Sequence, residues 1–148
     1  MAGRSTSRKN WSVAAVVAIV FVASVFVLLH SAPEEVAAVS QDGLVRASGL
    51  TRSSGSLVIE RIDDVETSVK TASAVYEVSL TGNGHLNDGE LVMKVEDSAS
   101  LSDLVLYTFH RETLSWIALP TLFDFADSIL STSLEFTGSL LIVAGERE

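Results

Sequence analysis

Nineteen consecutive residues, Trp11 to Leu29, read "WSVAAVVAIVFVASVFVLL" without a charge, a proline or a glycine. At about 1.5 Å rise per residue a helix of that length spans roughly 28 Å, close to the hydrocarbon thickness of a bilayer. In lipid every backbone amide and carbonyl must bond within the segment, so helix is the only form a single span can take. The run is therefore expected to be a transmembrane helix, seated in the bilayer by Trp11, Phe21, Phe26 and Leu29. Arg4, Arg8 and Lys9 lie in a basic tail of residues 1–10, and Glu34 and Glu35 follow the run. This asymmetry predicts a single-pass cell-membrane protein with its N-terminus in the cytoplasm and the rest of the chain outside. A cleaved secretory signal is the alternative. Such signals carry an apolar region of about 7–15 residues, and the best small-residue site here, Val36-Ala37-Ala38, lies well beyond the apolar run. Both routes export the same domain.

From Ser31 onward there are 7 basic and 19 acidic residues, a local charge of −12. A nucleic-acid partner would be repelled by that charge, whereas basic partners or divalent cations would be favoured. The absence of cysteine excludes disulfides and thiolate chemistry, so the domain must rely on its core.

Residues 30–56, with Pro33, three glycines and six serines, read as a juxtamembrane stalk that could hold a first strand near Gly43 to Ala47. Beyond them, in residues 57–148, apolar runs of five to eight residues alternate with turn formers. The predicted fold is all-β, an antiparallel β-sandwich of about seven strands preceded by the N-terminal transmembrane helix. The expected strands are Leu57 to Ile62, Ala74 to Leu80, Glu90 to Glu96, Leu104 to Phe109, Leu114 to Leu119, Ser128 to Leu134 and Ser139 to Val143. Tyr76, Val78 and Leu80 alternate with Glu77 and Ser79, and Leu91, Met93 and Val95 with Lys94 and Glu96, the period-two signal of a half-buried strand. Gly82-Asn83-Gly84 and Asn87-Asp88-Gly89 read as turns, His110 to Thr113 as the polar tip of a hairpin, Pro120 as a strand terminator, and Asp63 to Ser73 as a connection.

The order "AVYEVSL", "NDGELVMKV", "LVLYTFHRETLSWIALP" and "FTGSLLIVAG" resembles a β-sandwich module of extracellular bacterial and archaeal proteins. That module is related in layout to the zonula-occludens and netrin-receptor type of domain. The resemblance covers about Leu57 to Gly145 and rests on Tyr107, the charged turn at His110 to Thr113, Trp116 to Leu119 and the strand led by Phe136. It implies a structural, adhesive or protein-contacting module rather than an enzyme. In such a layout the hairpin usually carries a glycine where Leu114 stands, and a bulkier residue where Gly138 stands.

Chemistry-bearing patterns are sparse. His30, His85 and His110 are far apart in the chain, with no H-x-x-x-H or H-E-x-x-H spacing, and there is no G-x-S-x-G elbow or phosphate-binding loop. No cofactor is expected. Loop carboxylates offer weak calcium candidates in Asp88, Glu90, Asp124 and Asp127, although no D-x-D-x-D-G series occurs. Trp116 is expected in the core, with a sugar-stacking platform as its alternative reading, and Tyr76, Tyr107, Phe109, Leu119 and Phe136 are the other expected core markers. The function predicted is a membrane-anchored, extracytoplasmic structural or protein-contact module without catalytic activity, bound to the bilayer through residues 11–29 and facing another surface or envelope protein. A calcium- or carbohydrate-binding module is the alternative. Contacts would use sheet edges, with Leu57 to Ile62 or the last strand pairing with a partner strand.

Overall fold

Apolar side chains at every second position, on segments too short for helices, leave one way of burying them: two sheets face to face. In a computed structural model the chain is described over residues 32–82, 84–96 and 101–147. The membrane-anchor residues Trp11, Phe21, Phe26 and Leu29, and His30, lie outside the described residues. Among the described residues no helix is long and apolar enough to cross a membrane.

Ten strands follow in chain order: β1 (Glu34–Val39), β2 (Val45–Thr51), β3 (Leu57–Ile62), β4 (Val75–Leu80), β5 (His85–Lys94), β6 (Leu104–His110), β7 (Ser115–Ala118), β8 (Leu122–Asp124), β9 (Ile129–Thr137) and β10 (Ser139–Glu146). They form two antiparallel five-stranded sheets, A in the order β1-β2-β5-β9-β8 and B in the order β3-β4-β10-β6-β7. Hairpins stay within a sheet, whereas the connections β2–β3, β4–β5, β5–β6, β7–β8 and β9–β10 cross between sheets.

Residues 33–56 are not a stalk but part of the sandwich. Pro33–Glu148 is one compact unit, and β1 and β2 pair from Glu34↔Thr51 to Val39↔Arg46. The pattern in "VRASGLT" is obscured by small residues, yet Val45 and Ala47 are fully buried because Leu86, Leu91 and Met93 of β5 lie beside them in the same core. The connections within it are the β1–β2 loop, residues 40–44, and residues 52–56, whose Ser53 to Ser56 composition suggests a loop.

The main core fills the space between the sheets. Sheet A supplies Val45, Leu86, Leu91, Met93, Leu130, Leu134 and Phe136, and sheet B supplies Leu57, Ile59, Tyr76, Val78, Leu80, Leu106 and Ile142. The alternations read from β4 and β5 face this core. A second, smaller cluster of Val69, Val75, Val105, Tyr107 and Val143 lies on the outer side of sheet B. The connection 63–73 folds over half of that face, placing Val65 and Val69 on it, and its end runs beside β10 through Ala72 N–H to the Ala144 carbonyl and Glu146 N–H to the Lys70 carbonyl.

Asn87-Asp88-Gly89 is not a turn but a bulge inside β5. The strand has one extra residue against both neighbours: Ser48 and Leu50 of β2 face Glu90 and Asn87, while Leu134 and Phe136 of β9 face Gly89 and Leu86. Asp88 takes φ 46° there, so residues suited to a turn are used to kink a strand. Gly49 and Gly89 meet at the bulge. A Cβ on Gly49 would lie 2.9 Å from Gly89 Cα, and one on Gly89 would lie 2.7 Å from the Leu134 carbonyl oxygen.

The β6–β7 loop is Arg111 to Leu114, one residue later than its polar cluster suggests, since His110 pairs with Ser115. It ends on Leu114 at φ 51°, and the β8–β9 loop, Phe125 to Ser128, ends likewise on Ser128 at φ 56°. Left-handed backbone is strained for leucine by about 1–2 kcal/mol, and the Leu114 side chain is 76% exposed, so it recovers little by packing. Leu114→Gly is expected to stabilise the domain by roughly 0.5–1 kcal/mol after the entropic cost of glycine. A raised urea midpoint at unchanged slope would register it. Gly138, at φ 77° with open space around it, makes the corner at which the chain leaves sheet A for sheet B.

Candidate interaction surface

Sheet parity decides which aromatics are available. Along β6, Leu104 and Leu106 point into the main core, so Val105, Tyr107 and Phe109 point outward. Trp116 is paired with Phe109 across β6–β7 and shares its face. The rings lie 5.4 Å apart at 60°, a tilted pair. Of the expected core markers, Tyr76 and Phe136 are in the inter-sheet core and Leu119 is at its margin. Tyr107 belongs to the outer cluster, with its hydroxyl donating to the Glu146 carbonyl at 2.8 Å. Phe109 and Trp116 are half-buried on the outer face rather than in the core.

The register of sheet B extends this aromatic pair into a row. Glu60 faces Glu77, and Glu77 faces Leu141. Leu141 precedes Ile142, whose partner is Thr108, which sets Leu141 beside Phe109. Five strands thus present Glu60, Glu77, Leu141, Phe109 and Trp116 across the half of the face that residues 63–73 leave open. At about 4.8 Å per strand the row is roughly 19 Å long. Arg111 borders it, donating from its guanidinium to Ser139 Oγ at 3.0 Å.

The flank of the sandwich at β7 and β8 is also apolar. Ile117, Leu122 and Phe125 are 44%, 73% and 68% exposed, on and beside the edge strands of both sheets, which the connection 119–121 joins. β3 is likewise an edge strand, but β10 is central in sheet B, bonded on both sides, and has no free edge for a partner.

The other candidate residues do not converge. Asp124 is level with Ile129, which is level with Lys94, whereas Asp88 lies six residues earlier on β5, roughly 20 Å along the strand. Asp124 accepts the Ala126 N–H within its own loop. Among the described residues no group of three His, Asp or Glu is placed to hold a metal ion. His110 Nδ1 is 3.0 Å from Thr113 Oγ1, and His85 Nδ1 is 2.8 Å from Thr137 Oγ1, both at the exposed surface.

At the end of the sandwich that carries the β1–β2 loop, Asp42 ties the two sheets together. Its carboxylate accepts Ser40 Oγ–H at 2.6 Å, the Leu44 N–H at 3.1 Å and, from sheet B, the Tyr76 hydroxyl at 2.8 Å. Burial disfavours the charged carboxylate, but these three donors and the Arg61 guanidinium outweigh it and hold Asp42 below its ordinary value. Burial, and then the hydrogen bond and negative charge of Asp42, raise Tyr76 well above the usual phenol range. A cleft of about 930 Å3 opens at the same end, lined among others by Arg61, Lys94 and Arg147 and by Glu96, Asp103 and Glu146, a balanced set of charges.

Compared with protein-family models, curated proteins and solved structures, the chain matches none of them.

Proposed function

We propose that the chain is a single-pass membrane protein, N-terminus inside, that holds a non-catalytic acidic β-sandwich outside the membrane to contact another surface or envelope protein. The observation that carries the protein-contact reading is the β7–β8 flank, where two edge strands and three exposed apolar side chains coincide. Edge strands offer unpaired backbone groups, and exposed apolar residues beside them are what an added strand or loop from a partner would cover. The charge-free run at 11–29 and its basic flank support the anchor. The layout likeness to extracellular sandwich modules supports an adhesive or structural role.

The test is photo-crosslinking in membranes of cells that make the chain, with a photoreactive phenylalanine analogue at Leu122 and, as control, at exposed Arg46 on sheet A. The chain is expected to resist an alkaline carbonate wash, to be digested only by protease added outside, and to give a protein adduct from position 122 and none from position 46. Release by the wash would sink the anchor. Equal adducts from both positions, or none, would sink the contact site.

A further inference from the structure

We infer that the open half of the outer face of sheet B receives an extended, lysine- or arginine-bearing segment of the partner protein. This names the partner's chemistry and rests on the protein-contact reading. Glu60 and Glu77 are directly opposed in an antiparallel ladder, an arrangement that costs stability because like charges face each other at close range. Neither carboxylate is in an ion pair: among the described residues the ion pairs are Arg61 with Asp63 and Lys70 with Glu146, and the bordering Arg111 is hydrogen-bonded to Ser139. Two facing carboxylates without a cation are complementary to a basic side chain from outside.

The same row supplies the other half of a binding surface. Leu141, Phe109 and Trp116 continue from the carboxylates across β10, β6 and β7, and all three are partly exposed at the border of the strap formed by residues 63–73. The tilted aromatic pair offers ring surface both to apolar side chains and to a second cation. A segment lying across the strands would cover the roughly 19 Å row with about six extended residues, one basic side chain over Glu60 and Glu77 and a second over the ring of Trp116. Opposite charge also matches the domain as a whole, with 7 basic against 19 acidic residues from Ser31 onward.

The test uses the full chain in a polyoxyethylene detergent with Trp11→Phe, which leaves Trp116 as the single indole reporter. An acetylated, amidated octapeptide of alternating Lys and Thr is titrated while Trp116 emission is followed, beside the same peptide with Glu for Lys and beside maltohexaose. A saturable shift with the Lys peptide alone, weakened by salt, is expected. The double substitution Glu60→Gln with Glu77→Gln should weaken it at least tenfold and at the same time raise the thermal midpoint of the free chain, whereas Glu90→Gln on the other sheet should leave it unchanged. Equal binding by the double variant, equal binding of the Glu peptide, binding of maltohexaose alone, or no binding at all would each overturn the inference. A double variant that binds weakly because it is misfolded is recognised by a lowered midpoint, which also overturns it, since the carboxylates would then serve the fold. Adducts from position 122 that persist without peptide binding leave the protein-contact reading standing; loss of both removes it too.

Discussion

Gly89→Ala is expected to lower the unfolding free energy by about 2–3 kcal/mol, at the upper end of what one added methyl group costs in a packed interior. The new Cβ would meet the Leu134 carbonyl oxygen at 2.7 Å and Leu86 Cδ2 at 2.8 Å. The carbonyl is backbone of the neighbouring strand β9, so it cannot swing aside as a side-chain end could. Moving β5 away would open the ladder on both of its sides, because the bulge is registered against β2 and β9 together. Gly43→Ala is the control: its φ of 74° makes a side chain strained, but nothing lies within 4 Å, so only the left-handed penalty of about 1 kcal/mol applies. Urea unfolding of the full chain in detergent, followed by the β-sheet circular dichroism signal, compares the two. An equal effect would mean that the Leu134 backbone of β9 does not lie against Gly89.

The second large effect concerns Asp42 and depends on pH. Asp42→Ala is expected to cost about 1–3 kcal/mol at pH 7, because it strips the acceptor from the buried Tyr76 hydroxyl and from two donors of the β1–β2 loop. Tyr76→Phe removes the donor and leaves no orphan in the core, so its cost is nearer 1 kcal/mol. The folded state holds Asp42 below the value of about 3.9 that it has in an unfolded chain. Its contribution is therefore present above that value and is lost as pH falls through the folded one. The gap between the natural chain and Asp42→Asn should narrow between pH 6 and pH 2.5. Tyr76 has the opposite sign of shift and reports at the alkaline end: its raised value means stability is retained below about pH 10 and declines above it. A gap independent of pH on the acid side would show that the Asp42 charge does not hold the sheets together.

Those two sites also show what could be read in advance. Seven strand segments are legible as short apolar runs between turn formers, and in β4 and the second half of β5 the runs also alternate with polar residues at period two. β1 and β8 are not, since "EEVAAV" and "LFD" are edge strands, largely exposed, with no buried face to impose a pattern. The bulge at Asp88 reads as a turn in the sequence because turn and bulge draw on the same left-handed tolerance, and only the neighbouring strands distinguish them. The surface on sheet B was hidden for a different reason. "LVLYTF" is apolar at every position but one, so its parity is clear while the face that meets the second sheet is not. Which aromatics stay outside depends on residues 63–73, a connection with little pattern of its own, and Glu60 and Glu77 become neighbours only through the β3–β4 register.

The central place of β10 bears on when the fold can form. Sheet B joins β3-β4 to β6-β7 only through this strand, so until residues 139–146 have been synthesised its halves are two separate hairpins with Val78, Leu106 and Tyr107 uncovered. Closure of sheet B must therefore wait for β10, while the earlier strands are already made and their core-facing side chains are still open. Long-range pairing of this kind makes folding slow relative to a helical domain of the same size, and the interval is one in which a chaperone would find exposed strands to hold.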